Sequence, residues 1–169
     1  GENYIFLSAP MDNPRGTQYP VDKGLWKSKF PHCSGYIDRL TEAGRWDQVL
    51  NVRVRFWSKG KVAFLGDCAH AMPPNLGQAA NMAMTNSLAL AARVTEGKDV
   101  PAALQEWESR HRPLTDHVQW FSYIYGLVLG KWPKRFMGFR TDAIQTLART
   151  KWFDRALNKG ARHIPDGYK

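Results

Sequence analysis

Hydrophobic positions along the chain change their period several times, and the clearest change lies in the middle. A short apolar run from Val62 to Leu65 stands between Gly60 and Gly66, which is typical of a buried strand. A loop with two prolines follows, and after Gly77 the density of Ala, Met and Leu becomes that of a buried helix. The pattern predicts a strand, a stiff loop and a helix N-terminus, which suits an anionic or electron-rich ligand.

The longest helical pattern begins after Asp99. Apolar residues and one histidine recur at alternating steps of four and three, at Val100, Leu104, Trp107, His111, Leu114, Val118, Phe121, Tyr125 and Val128. This spacing places all nine on one helical stripe, which predicts packing against a core or an interface. Pro113 predicts a kink or a break. We interpret His111 as a partly buried, hydrogen-bonded residue, because no partner for a catalytic dyad lies nearby in the sequence.

The first 57 residues predict two strands and two short helices. The apolar run Tyr4–Leu7 indicates a strand, and Asp22 can cap a helix from Lys23 to Phe30 that Pro31 would end. A second helix is expected from Gly35 to Ala43. Residues 49–57 alternate in the manner of a strand, with Val52, Val54 and Phe56 on one side and Arg53 and Arg55 on the other.

The C-terminal region after Pro133 has a helical pattern. Its expected apolar anchors are Phe136, Phe139, Ile144, Leu147, Trp152, Phe153 and Leu157. The end of the chain, from His163 to Lys169, contains proline and glycine and is expected to fray.

Composition indicates a globular protein with a basic surface. The 169 residues are 43% hydrophobic, which suffices for the core of one domain. Lys and Arg number 24 against 15 Asp and Glu, a net charge of +9. Because the basic residues form no block and no nucleic-acid module is recognisable, we expect an anionic small ligand, with neither nucleic acid nor membrane as a partner.

The two cysteines, Cys33 and Cys68, stand far apart and show no metal-ligand spacing. We interpret them as free thiols of a reducing compartment, although the sequence leaves a disulfide between them open. No leader-like segment and no run of 18 apolar residues occurs. These features predict a soluble, cytoplasmic protein without a metal site.

The order of residues after the predicted strand is more specific than these patterns. It reads Gly66-Asp67-Cys68-Ala69-His70, then Pro73-Pro74, then Gly77-Gln78 and Asn81. This order resembles the second flavin-binding signature of the FAD-dependent aromatic hydroxylases, the class A flavoprotein monooxygenases built like para-hydroxybenzoate hydroxylase. Two positions depart from the usual pattern of that family: Ala79 replaces a glycine and Asn86 replaces an aspartate.

The resemblance implies FAD as the cofactor and gives the signature residues expected roles. Asp67 would reach the ribityl chain, the loop at Pro73 would lie beside the reactive edge of the isoalloxazine, and the helix start would face the pyrimidine end of the ring. A helix N-terminus there would stabilise the negative charge of reduced flavin. The expected cofactor-binding residues are Gly66, Asp67, Pro73, Gly77, Gln78, Ala79, Ala80 and Asn81. No side chain is assigned as a catalyst.

The resemblance covers only the C-terminal part of such a hydroxylase. The family's first signature, G-x-G-x-x-G, holds the FAD pyrophosphate at a helix N-terminus, and no G-x-G occurs in this sequence. We expect the C-terminal part of an α/β fold with few strands followed by long helices, completed by an N-terminal Rossmann half in another polypeptide or chain segment. The expected divisions are 1–57, the end of a substrate-binding sheet; 58–97, the FAD-binding strand, loop and helix; and 98–169, a helical region.

The implied activity is that of a monooxygenase using NADH or NADPH. In this family reduced FAD reacts with O2 to form a C4a-hydroperoxide, which would hydroxylate an aromatic or N-heteroaromatic, anionic substrate. The protein orients the cofactor and excludes water. Two alternatives stay open: a non-catalytic basic binding or scaffold domain that retains the fold, and another flavin reaction such as halogenation or epoxidation. Assembly into a homo-oligomer is also left open.

Overall fold

The computed structural model describes residues 4–168, except the side chain of Lys134. The described residues up to Gln48 form one compact unit, and those from Val49 onward form a second. Lys169, the last residue of the predicted frayed tail, lies outside the described residues. The three-segment division expected from the sequence stays a prediction.

The first unit is built on two short helices. Helix α1 spans Lys23–Lys29 and begins as predicted, since Asp22 Oδ1 accepts a hydrogen bond from the Leu25 N–H at 2.9 Å. After a 3₁₀ turn, helix α2 spans Ser34–Asp38 and is shorter than the predicted 35–43. The strand predicted at 4–7 is wrong: within the described residues the chain shows one two-stranded sheet elsewhere, and an apolar run without a pairing partner is not a strand.

The second unit begins with an irregular segment and a small hairpin. Strands β1 (Ser58–Lys59) and β2 (Val62–Ala63) pair antiparallel, with Ser58 opposite Ala63. The predicted buried strand is therefore wrong in length and burial, because Val62 is 60% exposed and alternate residues of a two-stranded hairpin face solvent. The strand predicted at 49–57 is also absent from the described structure.

Three α-helices and one 3₁₀ turn come directly after the hairpin. They are α3 (Asp67–His70), a 3₁₀ turn (Pro74–Leu76), α4 (Ala79–Glu96) and α5 (Val100–Gly130). Helices α4 and α5 pack against each other and enclose the core, in which Met82, Ala89, Trp107 and Val118 are almost fully buried. The predicted stripe on α5 is confirmed, since each of its nine residues is buried or half-buried.

Proline 113 lies inside α5 without dividing it. Helix α5 runs unbroken for 31 residues. Pro113 and Ser109 are both exposed, and Pro113 has no N–H to donate to the Ser109 carbonyl one turn earlier. The predicted break is therefore wrong, because the proline lies on the solvent side of the helix.

The C-terminal helices are exposed. After a 3₁₀ turn (Lys134–Phe136), α6 spans Met137–Ala148 and α7 spans Lys151–Leu157, and neither contains a buried residue. Of the predicted apolar anchors, Phe139 and Trp152 are each 66% exposed. The predicted fraying of the tail stays a prediction; within it, Asp166 Oδ2 lies 3.4 Å from nitrogens of both Arg93 and Arg110.

Candidate functional site

The signature residues begin at a sharp turn after the hairpin. Gly66 adopts φ +69° and ψ −143°, a conformation that a side chain would strain. Its carbonyl accepts hydrogen bonds from the N–H groups of Ala69 and His70, both at 3.0 Å. The turn continues as the single turn of α3, which places Asp67 at its start with the side chain exposed. Asp67 is thus available to a ligand.

A buried glutamine on α5 fixes the beginning of the proline loop. Gln119 Nε2 donates to the carbonyl of Ala71 at 2.8 Å and to that of Val52 at 2.6 Å. The Val52 N–H donates to the same Ala71 carbonyl at 2.9 Å. Gln119 is 2% exposed, so it joins the irregular segment, the loop and the helix without competition from water.

The middle of the proline loop is bound to α5 one turn further along. Ser122 Oγ donates to the Pro73 carbonyl, and Asn75 Nδ2 donates to the Ser122 carbonyl at 2.9 Å. Asn75 reaches the helix because residue 126 is glycine: a Cβ there would lie 2.3 Å from Asn75 Nδ2. The loop at Pro73 is therefore held at both ends by polar contacts to one helix.

Sequence reasoning missed Gln119 and Ser122, although a signal for them exists. Buried polar residues recur on α5 at His111, Thr115, Gln119 and Ser122, at steps of four, four and three. These steps define a second stripe beside the apolar one. Buried polar side chains need hydrogen-bond partners, so a polar stripe beside a core stripe indicates a helix that holds neighbouring backbone.

The start of α4 carries no side-chain cap. Gly77 adopts φ +64°, in the left-handed region, and the side chain of Gln78 at the cap position accepts no hydrogen bond from the first N–H groups of the helix. The first helical bond from this end runs from the Met82 N–H to the Gln78 carbonyl at 2.9 Å. The N–H groups of Ala79, Ala80 and Asn81 precede it and have no side-chain acceptor among the described residues. These donors and the helix dipole suit an electron-rich or anionic group.

Two of the predicted site residues use their side chains elsewhere. Gln78 Nε2 donates to the Leu157 carbonyl at 2.7 Å, and Asn81 Nδ2 donates to the Gly160 carbonyl at 3.2 Å. Their amides therefore hold the turn after α7 against the start of α4. A Cβ at residue 160 would lie 2.5 Å from Gln78 Oε1, so this close approach requires glycine. Gln78 and Asn81 can contact a ligand at this end only through their backbones.

A second polar cluster fixes the hairpin to α5. Glu108 accepts hydrogen bonds from the N–H and hydroxyl of Ser58, both at 2.9 Å, and pairs with Arg112 at 2.7 Å. Arg112 also donates to the carbonyls of Val54 and Arg55 at 2.8 and 2.9 Å. Burial raises the pKa of Glu108, but these hydrogen bonds outweigh it and the net pKa lies below the ordinary value. The carboxylate therefore stays ionised and holds β1, the first strand of the hairpin, against α5.

The residues present fit a flavin better than a metal or a nucleophilic catalyst. No group of three or more His, Cys, Asp or Glu capable of holding a metal occurs among residues 4–168. Cys33 and Cys68 are free thiols, as predicted. What the second unit brings together is an exposed carboxylate, a proline loop braced by α5 and an uncapped helix start held to the turn after α7. Such an arrangement fits the electron-rich ring and hydroxyl groups of a flavin cofactor.

Comparison with known proteins agrees with a flavin cofactor. The sequence model of the FAD binding domain family matches residues 30–122, more than half of the chain. The chain belongs to the FAD binding domain family. The resemblance found in the sequence is thereby confirmed.

Individual relatives of the chain are named as enzymes. The chain is 41% identical, over 71% of its length, to AqdB1 of Rhodococcus erythropolis, assigned as a 2-heptyl-3-hydroxy-4(1H)-quinolone synthase. It is 35% identical, over 75% of its length, to the 2-heptyl-3-hydroxy-4(1H)-quinolone synthase of Mycobacteroides abscessus. It spans 32% and 34% of these two relatives, respectively.

The fold is shared with a solved oxygenase. The tetrameric form of 2-methyl-3-hydroxypyridine-5-carboxylic acid oxygenase matches 92% of this chain with a TM-score of 0.70 and 34% identity, and the chain spans 38% of that protein. The predicted fold class, the C-terminal part of a para-hydroxybenzoate hydroxylase-like α/β fold with few strands followed by long helices, is confirmed. Among the described residues no helix is both long and apolar enough to cross a membrane.

Proposed function

We propose that this chain forms the part of an FAD-dependent monooxygenase that holds the isoalloxazine and ribityl portions of the cofactor. The observation that carries the proposal is the uncapped start of α4, which follows the Asp67 turn and a proline loop fixed by α5. A binding site for a rigid planar ring needs its contacts held in place before the ligand arrives. The hydrogen bonds of Gln119 and Ser122 supply that rigidity.

Each residue of the signature has a role in this proposal. Asp67 would accept a hydrogen bond from a ribityl hydroxyl, and Gly66 would allow the turn that presents it. The backbone around Pro73 would lie against the ring. The N–H groups of Gln78, Ala79, Ala80 and Asn81 would face the pyrimidine edge, whereas that of Gly77 donates to the Pro74 carbonyl at 3.0 Å and closes the turn before them.

The reaction that we propose is hydroxylation of an aromatic ring. When bound, FAD would supply the redox chemistry, with NADH or NADPH as the reductant and O2 as the oxygen source. The residues of this chain would bind and orient the ring, and the braced loop at Pro73 would keep water from its reactive edge. The donors at the start of α4 would stabilise negative charge on the reduced ring without a dedicated cation.

We propose an N-heteroaromatic substrate. The names of both the quinolone synthases and the pyridinecarboxylic acid oxygenase contain a nitrogen-bearing aromatic ring. The net charge of +9 would favour an anionic substrate through long-range attraction. The test is oxidation of NADH or NADPH by the FAD-loaded protein with a 2-alkyl-4(1H)-quinolone or a pyridinecarboxylate. Stimulation by one of them with formation of a hydroxylated product would support the proposal, and a response to neither would contradict it.

The chain needs a second part to hold the whole cofactor. A G-x-G-x-x-G segment, in the same or another polypeptide, would bind the pyrophosphate that this sequence has no motif for. We expect this chain alone to bind FAD more weakly than micromolar in a fluorescence titration, and the completed protein to bind it tightly. Tight binding would add about 2.7 kcal/mol to the free energy of unfolding at 100 times the dissociation constant. Micromolar or tighter binding of FAD by this chain alone would contradict the need for a second, pyrophosphate-binding part.

A further inference from the structure

A line of buried polar contacts lies behind the Asp67 turn and joins three helices. His70 is 2% exposed, Asn86 1% and Thr115 0%. Asn86 Nδ2 lies 3.2 Å from His70 Nε2 and 3.0 Å from Thr115 Oγ1. Thr115 Oγ1 lies 3.2 Å from the carbonyl of His111 one turn earlier on α5. The line therefore connects α3 to α4 and α4 to α5.

Donor and acceptor rules fix the protons along this line. With the Asn86 amide oriented so that Nδ2 faces both His70 Nε2 and Thr115 Oγ1, this nitrogen can only donate, so in this arrangement His70 Nε2 accepts and the ring proton lies on Nδ1. Thr115 accepts the second amide hydrogen and donates its own to the His111 carbonyl. A proton on Nε2 would place two donors against each other in a site that excludes water. The arrangement therefore holds His70 as a neutral imidazole.

The surroundings of His70 favour the same state. The ring packs against the buried Trp57, with ring centroids 5.1 Å apart. Burial lowers the pKa of His70, against the opposing pull of Asp67 on its own helix and of Asp116 on α5. From α4 the group that faces the ring is the uncharged amide of Asn86. The geometry and the surroundings thus agree on a neutral ring.

The position of Asp67 depends on this histidine. Helix α3 has four residues, too few to be stable by its own backbone bonds. Ala69 and His70 are its buried residues, while Asp67 is exposed. One turn of helix is stiff, so the orientation of the buried end determines where the carboxylate at the other end points. Movement of the His70 ring would therefore move Asp67.

We propose that His70, held neutral by Asn86 and Thr115, is a positioning residue that fixes Asp67 for FAD. The proposal rests on the proposed function, in which Asp67 binds the ribityl chain. Because the ring stays uncharged, the orientation of Asp67 is the same across the physiological pH range. The amide at residue 86 is essential to this behaviour, since a carboxylate there would favour a proton on His70 Nε2.

The first test reads the proton on His70 by ¹⁵N–¹H NMR of the imidazole nitrogens in the holoprotein. We expect the neutral Nδ1–H form in the wild type from about pH 5.5 to 8, where an ordinary histidine titrates. Asn86→Asp should move a proton to Nε2 and make His70 titrate at higher pH. Asn51→Asp, which adds the same charge at an exposed residue, should leave His70 unchanged. A wild-type His70 that is protonated at pH 7, or carries its proton on Nε2, would overturn the proposal.

The second test measures FAD affinity in the protein with its pyrophosphate-binding part in place. His70→Leu removes the acceptor and should raise the FAD dissociation constant about tenfold or more, whereas His70→Gln keeps a neutral acceptor and should change it by less than about threefold. Leu104→Ala, a buried substitution on α5 away from the site, is the control. It should lower the melting temperature without changing FAD affinity, which separates positioning from general stability.

The outcomes distinguish the two proposals. If the wild type binds FAD and His70→Leu binds it with the same affinity, the positioning role of His70 is overturned while the proposed function stands. Failure of the wild type to bind FAD would overturn the proposed function and this role with it. Should His70→Leu not fold, Asn86→Asp takes its place. Its FAD dissociation constant should change with pH as His70 titrates, while that of the wild type stays constant, and two flat profiles would overturn the role.

Discussion

Replacing Gln119 by leucine should destabilise the protein and loosen the proline loop. The wild-type amide makes two hydrogen bonds, to the carbonyls of Val52 and Ala71. Ala71 keeps a second donor, the Val52 N–H at 2.9 Å, so its carbonyl stays paired in the variant. The Val52 carbonyl loses the hydrogen bond that the Gln119 amide donates to it at 2.6 Å in the wild type. The variant therefore removes two bonds and leaves one half-buried acceptor short of a partner.

The expected cost follows from these contacts. A net hydrogen bond contributes about 0.5 to 1.5 kcal/mol, and an unsatisfied buried acceptor costs about 1 to 3 kcal/mol. Leucine recovers part of this through burial of its apolar side chain, so we expect a loss of about 2 to 3 kcal/mol in the free energy of unfolding. For a protein of this size each kcal/mol lowers the melting temperature by about 2 to 4 °C. The expected shift is thus about 4 to 12 °C.

Urea and thermal unfolding of the purified protein measure this loss. Gln145→Leu, the same substitution at an exposed residue of α6, is the matched control and should change stability by less than about 0.5 kcal/mol. We also expect Gln119→Leu to weaken FAD binding, because the loop at Pro73 loses its anchor. Equal stability of the two variants would refute the bracing role that we assign to Gln119.

Four further changes test other parts of the account. Asp67→Ala should raise the FAD dissociation constant about 10- to 100-fold through loss of a charge-assisted hydrogen bond, and turnover should recover at saturating FAD. An unchanged dissociation constant would show that Asp67 serves only the turn and does not contact FAD. Ala79→Gly should lower the melting temperature of the apoprotein, because glycine has a lower helix propensity, and should give equal or tighter FAD binding with a shifted flavin absorbance. An unchanged flavin spectrum and an unchanged affinity would show that Ala79 does not lie near the ring. Gly126→Ala should displace Asn75, detected as faster hydrogen exchange in the proline loop. Burial lowers the pKa of both His70 and His111, so the unfolded state binds more protons below about pH 6.5 and stability should fall on acidification through that region; a flat stability curve from about pH 7 to 5 would contradict their burial as neutral rings.

Periodicity predicted the helices well because burial and helical spacing coincide in them. The start of α1 at Lys23, the helix after Gly77 and the stripe on α5 follow from spacing and capping residues alone. The prediction of a buried strand from the run Val62–Leu65 was wrong for a physical reason. A short apolar run has the same pattern in a buried strand and in an edge hairpin, and only the pairing partners decide which of them forms.

The candidate site stays a prediction from the sequence, and the contacts that brace it could not be predicted. The order from Gly66 to Asn81 indicated a flavin signature, and the family match supports it. The amides of Gln78 and Asn81, however, bond to carbonyls 79 residues away. No local pattern contains such a partner, so side-chain roles at the helix start could not be assigned from sequence. The same holds for Asn86, whose partners His70 and Thr115 lie on two other helices.

The most direct test of the central claim is a crystal structure of the completed protein with FAD bound. The account predicts the pyrimidine edge of the isoalloxazine within about 2.7 to 3.2 Å of N–H groups at the start of α4. It also predicts the Asp67 carboxylate at the same distance from a ribityl hydroxyl. A flavin bound elsewhere, with Asp67 and the N–H groups of Ala79 and Ala80 facing only solvent, would contradict the claim.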